Sequence, residues 1–231
     1  MRSVGWILLI VISIGTSAPA LSDESGQCEP GVGETVARRV QARYEGIRDL
    51  GAAFIQTSKS ATFGGKPLMA SDPKTGRVVF AKPGKMRWTY ETPEKSVVVS
   101  NGGTLWIYDV AGASVTRLAV TSGFLSGAAL QFLLGDGQIL ESFDVRAANC
   151  EPGQVQLELT PKSDATYERL GLLVESETGD ILATSVLDLF GNRTRIEFSG
   201  VETNRAPKDE VFEFEVPEGV ELIEYESAPT G

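Results

Sequence analysis

From about residue 50 to residue 120 the chain alternates apolar and polar side chains with a period of two. Phe54 opens a predicted strand that runs through Phe63. Thr75 to Lys82 places Val78 and Phe80 on one face, and Met86, Trp88 and Tyr90 share a face with Arg87 and Thr89 opposite. Val97 to Ser100 and Thr104 to Tyr108 flank Asn101-Gly102-Gly103, a strong hairpin turn signal. Val115 to Val120 follows a turn at Ala111-Gly112. Short strands spaced about ten residues apart predict a meander that curls into a barrel or sandwich. In Leu105-Trp106-Ile107-Tyr108 every side chain is large and apolar or aromatic. A strand with one wet face would alternate, so this one needs cover on both faces.

Helical spacing interrupts the strands twice. Glu34 to Leu50 reads as a helix with Val36, Val40, Tyr44 and Ile47 on one face, Arg38, Arg39, Gln41 and Arg43 left for solvent, and Gly51 at its end. No charge occurs between Arg117 and Asp136. Phe124, Leu125, Ala128, Ala129, Phe132 and Leu133 fall on one helical face there, stopped by Gly135-Asp136-Gly137, and such a helix must lie against something apolar. Strands resume at Ser142 to Arg146, Val155 to Thr160, Tyr167 to Glu175, Ile181 to Leu189 and Arg193 to Phe198, with a short tail strand at Phe212 to Phe214. Turns fall at Thr178-Gly179-Asp180 and Gly191-Asn192. With no internal repeat or domain boundary, the expectation is one sheet of about ten or eleven strands with two or more helices.

The N-terminus has the form of an export signal. Arg2 supplies the positive charge, Val4 to Ile14 the apolar run, and Thr16-Ser17-Ala18-Pro19-Ala20 the site for cutting after Ala20. The apolar run is short for a bilayer span. The expected organisation is a signal peptide at 1–20, a flexible leader at 21–33, a single domain at 34–226 and a tail at 227–231. Ser25-Gly26-Gln27 before Cys28 lacks the apolar residue of a lipid attachment site. In an oxidising compartment Cys28 and Cys150 can pair, closing a loop of about 120 residues; the alternative is two unpaired thiols.

The net charge of −10 argues against nucleic acid, whose phosphates demand a basic surface, and against adhesion to an anionic membrane through a polybasic patch. The absence of histidine excludes His-based triads, His metal ligands and an imidazole base. Two cysteines alone do not build a structural zinc site. Asp180, Asp188 and Glu197 are ordinary acidic residues of strand and turn positions. Gly64-Gly65 and Gly102-Gly103 are turn residues without the following helix that a phosphate site needs. No catalysis, cofactor or metal is expected. What stands out is the apolar surplus: a barrel of about eleven strands is wider than one filled by its own side chains, and an apolar cavity takes an apolar guest. A well-packed sandwich is the alternative.

Six motifs occur in order from the first strand to the tail. They are Phe54-Ile55-Gln56; Lys82-Pro83-Gly84-Lys85-Met86-Arg87-Trp88-Thr89-Tyr90; Ser100-Asn101-Gly102 leading to Leu105-Trp106-Ile107-Tyr108-Asp109; Leu159-Thr160-Pro161-Lys162; Asp188-Leu189-Phe190-Gly191-Asn192-Arg193-Thr194; and Phe212-Glu213-Phe214 with Pro217, Gly219 and Val220. Together they resemble the LolA family of periplasmic carriers of outer-membrane lipoproteins. The resemblance implies a mainly β fold: an incomplete antiparallel barrel of about eleven strands around an apolar cavity covered by helices. It implies a periplasmic monomer that takes acylated lipoproteins from an inner-membrane ABC transporter to an outer-membrane receptor. Val78, Phe80, Met86, Trp88, Tyr90, Trp106 and Phe132 are expected to line the cavity or its rim, Met86 at the rim. Leu125, Ala129 and Leu133 are expected in the lid, with Lys82 touching it. The family usually carries Arg at the position of Lys82; lysine lacks the planar fork, so the latch is expected to be looser. Three other classes compete: a lipid-anchored receptor, which needs a lipidated cysteine; a carrier of another lipid or hydrophobic small molecule; and an interaction module with a dry core.

Overall fold

The computed structural model describes residues 28–63, 66–67, 71–120 and 138–225. Helix α1 spans Val32–Glu45 and is followed by strands β1 (Asp49–Lys59), β2 (Thr62–Phe63), β3 (Lys66–Pro67), β4 (Lys74–Ala81), β5 (Lys85–Thr92), β6 (Ser96–Asn101), β7 (Thr104–Asp109) and β8 (Ser114–Ala119). The short helix α2 (Ile139–Ser142) leads into β9 (Phe143–Glu151), β10 (Gln154–Pro161), β11 (Tyr167–Glu175), β12 (Ile181–Asp188) and β13 (Arg193–Thr203). A 3-10 turn at Asp209–Phe212 precedes β14 (Glu221–Tyr225). Twelve strands form one sheet in the order β14-β8-β7-β6-β5-β4-β1-β13-β12-β11-β10-β9, and β2 pairs only with β3. The sheet is thus two antiparallel meanders joined through β1, open between the edges β14 and β9.

Register carries the period-two pattern into a single inner face. Leu50, Ala52 and Phe54 stand opposite Phe80, Val78 and Gly76 of β4, and Phe80 and Val78 stand opposite Met86 and Trp88 of β5. In the other meander, Val155, Leu157 and Leu159 of β10 stand opposite Val174, Leu172 and Leu170 of β11. These residues join one apolar cluster with Val36, Ala37, Val40 and Tyr44 of α1 and Ile139 of α2. A cluster shared by both meanders requires a sheet curved around it.

Helix α1 is fastened to the second meander. Gly33 passes so close to β9 that a Cβ there would lie 2.7 Å from Ala147 N. Arg43 Nε donates to Asp180 at 2.7 Å, Arg39 donates to the Ser176 carbonyl, and the Ile181 N–H donates to the Tyr44 hydroxyl at 3.2 Å. Cys28, just ahead of the helix, is disulfide-bonded to Cys150 of β9. Burial pushes the Tyr44 phenol up to about 12, with the negative charge of Asp180 adding to the rise.

The second face of β5 to β8 is covered by the C-terminal segment. Register puts Arg87, Val99, Trp106 and Arg117 on that face. Phe212 is buried to 1 % exposure, and Lys85 Nζ lies 6.0 Å from its ring. Arg87 donates to the Val211 carbonyl at 3.2 Å. Phe214 lies 6.4 Å from Trp106 and 5.8 Å from Tyr108, ring centre to ring centre. The apolar run of β7 is therefore explained by two covers, the interior on one side and the tail on the other.

Three expectations are corrected. The first helix ends at Glu45, and Asp49 and Leu50 belong to β1, because they pair with Ala81 and Phe80. The Asp49 carboxylate, 8 % exposed, accepts from the N–H groups of Arg205 and Ala206, which fixes the strand start at that point. Phe212–Phe214 is not a strand: Phe212 closes the 3-10 turn, and the tail strand is β14, which runs parallel to β8. The main sheet has twelve strands, one more than the resemblance implied.

Three outcomes follow from this packing. Phe212→Ala should lower the urea-unfolding free energy by about 3–5 kcal/mol, since it empties a fully buried aromatic site. Cys28→Ser with Cys150→Ser should cost up to about 4–5 kcal/mol, because the bridge closes a loop of roughly 120 residues in the unfolded chain. The neutral Tyr44 phenol stabilises the fold fully below pH 10, and that contribution is lost as pH rises from 10 towards 12. Urea midpoints should fall over that window, and Tyr44→Phe should make the fall shallower.

Candidate lipid-binding face

The aromatic part of the inner face is built by β1, β4 and β5. The Phe54 ring lies 4.8 Å from Trp88 and 5.2 Å from Tyr90, the latter edge to face, and Phe80 lies 5.7 Å from Trp88. The cluster depends on Gly76, where a Cβ would fall 1.9 Å from Thr89 O and 2.9 Å from Phe54 Cε1. The Tyr90 hydroxyl donates to Gln56 Oε1 at 3.0 Å, and burial pushes its pKa up to about 12. Tyr90 therefore stays neutral at physiological pH.

One polar atom of this face is unmatched. Trp88 Nε1 is buried and has no hydrogen-bond partner among the described residues. Leaving a buried donor unpaired costs about 1–3 kcal/mol. The remaining buried polar groups nearby are satisfied: Ser100, for example, donates to the Gly84 carbonyl at 2.9 Å and accepts from Gly102 N–H. Chemically, the face is a buried apolar cluster with one unpaired N–H donor and no described cluster of metal-ligating side chains.

Val78, Phe80, Met86 and Trp88 are brought together on this face, all buried, with Tyr90 packed against them. Trp106 is not with them. It stands opposite Val99 on β6, one residue out of phase with the Ile107–Val98–Trp88 row, so it faces the tail. Met86 is 4 % exposed and belongs to the interior rather than to a rim, so a charge placed there would disturb folding first. Lys82 Nζ donates to the Tyr44 carbonyl at 2.6 Å, at the C-terminal end of α1, where a cation also meets the negative end of the helix dipole. Leu125, Ala129, Phe132 and Leu133 lie outside the described residues. Sequence reasoning passed over Phe54 as a cluster member, although its spacing from Ala52 and Gln56 already placed it on the inner face. It also passed over Phe212 and Phe214 as the outer cover, which no local periodicity signals.

Known proteins support one assignment. The family model described as "Outer membrane lipoprotein carrier protein LolA" matches residues 45–215. The "Outer-membrane lipoprotein carrier protein" of Chromobacterium violaceum is 34 % identical over 200 residues, covering 86 % of this chain and 92 % of its own. The protein of the same description from Pseudomonas putida is 30 % identical over 229 residues, covering 96 % and 99 %. Among solved structures, an uncharacterized conserved protein from Thermus thermophilus shares the fold with a TM-score of 0.50 at 10 % identity, over 83 % of this chain and 98 % of that one. With its fold, motif order and near-full-length relatives in agreement, the chain belongs to the LolA family of outer membrane lipoprotein carrier proteins.

Proposed function

We propose that this protein is a periplasmic carrier that shields the acyl chains of lipoproteins against its inner face, taking them from an inner-membrane ABC transporter and passing them to an outer-membrane receptor. The observation that carries the reading is the aromatic inner face with its unmatched Trp88 donor, in a chain of the lipoprotein-carrier family. Each buried methylene is worth about 0.8 kcal/mol, so a multiply acylated anchor does not cross water unshielded. A carrier that returned the whole of that free energy would not release its cargo. The uncharged segment between Arg117 and Asp136 has the composition of a competing cover, one that would offset part of the gain on loading. Lys82 holds the end of α1 through the Tyr44 carbonyl. The Trp88 N–H supplies a donor for an ester or amide carbonyl at the head of the acyl chains.

The direct test mixes the protein with membranes that hold the transporter charged with lipoprotein, adds ATP, and asks whether a lipidated protein becomes soluble with it. Soluble carrier–lipoprotein complex is expected; its absence, or native mass spectra that find only a free lipid on the protein, would replace the lipoprotein reading with that of a general lipid carrier. Trp88→Phe tests the donor. It removes the unpaired N–H together with the pyrrole half of the indole, so relief of the bare donor and loss of packing oppose each other in stability and the variant should remain folded, whereas lipoprotein uptake should fall several-fold.

A further inference from the structure

The motif Asp188-Leu189-Phe190-Gly191-Asn192 forms the β12–β13 turn and exposes two large apolar side chains at its tip. Phe190 is 83 % exposed, the most of any large apolar residue described, and Leu189 beside it is 64 % exposed. Single exposed apolar residues are common, but an adjacent Leu-Phe pair on a turn that is held rigid is not. Asp188 Oδ1 accepts from the N–H groups of Phe190 at 2.9 Å and Asn192 at 2.8 Å, and the Asp188 carbonyl accepts from Gly191 N–H. Asn192 Oδ1 in turn accepts from Ala61 N–H at 3.1 Å, which ties the turn to the end of β1. Gly191 takes φ +83, a conformation that suits glycine. The N–H groups of Phe190, Gly191 and Asn192 are thus all paired inside the turn. A tip with satisfied donors can enter an apolar phase without leaving peptide groups bare.

Behind this tip the outer face carries a row of cations. Lys59 of β1 stands opposite Arg193 of β13, Arg193 opposite Leu187 of β12, and Leu187 opposite Arg169 of β11. Four neighbouring strands therefore hold three positive charges and no carboxylate in one row about 15 Å long. Arg169 pairs with Glu158 and Glu168, but neither Lys59 nor Arg193 has an ion pair among the described residues. Directly opposed like charges weaken a sheet, so this row costs stability where it stands. In a chain of net charge −10, Lys59 and Arg193 thus place two charges without an ion pair among the described residues beside the apolar tip.

We infer that this end of the molecule docks on a lipid bilayer: Leu189 and Phe190 enter the headgroup–acyl boundary while Lys59 and Arg193 meet lipid phosphates. A convex tip of two side chains offers a protein partner little enclosed area, whereas a bilayer accepts apolar groups without a matching shape. Each cation near an anionic surface is worth about fivefold in binding. The contact is accordingly weak and reversible, as suits a protein that must leave the membrane again. It does not depend on which cargo the inner face takes.

The test uses the chain from Leu21 onward, the form left by cutting after Ala20, floated with vesicles of phosphatidylglycerol and phosphatidylcholine. The protein should float with the mixed vesicles and much less with phosphatidylcholine alone. Leu189→Ser with Phe190→Ser should lower flotation about tenfold without moving the melting temperature, and Lys59→Gln with Arg193→Gln should remove the preference for anionic lipid while leaving the melting temperature equal or slightly higher. Trp88→Phe should float as the parent does, which separates docking from lipid capture by the inner face. Phe190→Trp should shift to shorter emission wavelength and be quenched by brominated acyl chains. A parent protein that ignores both vesicles, or a serine variant that floats equally well, would overturn the proposal. So would a tip that binds only membrane protein in detergent, which would make it a protein-docking site.

Discussion

A strand apolar on both faces has to be dry on both faces, and the structure is organised around that requirement in β5 to β8. On the inner side Trp88, Val98 and Ile107 continue the cluster begun by Phe54 and Val78. On the outer side Val99 and Val115 are fully buried, and Phe212 and Phe214 are brought back from more than ninety residues downstream to close that side. With the outer face covered by the chain's own tail, the cluster of Phe54, Val78, Phe80 and Trp88 is confined to the inner side.

The two meanders are treated differently. Helix α1 is locked onto β9 to β12 by a disulfide, an ion pair, a carbonyl bonded by Arg39 and the buried Tyr44 hydroxyl. The β4–β5 side carries the aromatic cluster and the unmatched Trp88 donor. Helix α1 is thus held by covalent, ionic and hydrogen bonds, whereas the β4–β5 side is held by apolar packing with one donor left over.

Charge follows the same separation of local from global. A net charge of −10 speaks against broad adhesion to anionic surfaces. Lys59 and Arg193, opposed on neighbouring strands and without an ion pair among the described residues, nonetheless place two positive charges beside Leu189 and Phe190. The same residues that make a well-formed turn, Asp188 and Asn192, hold the two apolar side chains out in solvent. A turn motif that could be read as mere punctuation becomes a surface feature once its neighbours across three strands are known.

The period of two along residues 50–120 was enough to identify β4 to β8, their turns and the partnership of Val78, Phe80, Met86 and Trp88, because register in a hairpin is set by local turn geometry and alternation. Helix α1 was legible for the same local reason, through the spacing of Val36, Val40 and Tyr44. Its end was not: Ile47 and Leu50 continue the helical spacing, and only pairing with β4 draws Asp49 and Leu50 into a strand. Trp106 has the same chemistry as Trp88, and one residue of register puts them on opposite faces. The parallel pairing of β14, the return of Phe212 to the outer face and the alignment of Lys59 with Arg193 join residues far apart in sequence. Local alternation and turn signals act over a few residues, so the sequence by itself determined β4 to β8 and the inner row of Val78, Phe80, Met86 and Trp88; the face of Trp106, the closure of the outer face and the meeting of distant strands arise from register and long-range burial, which only the tertiary structure decided.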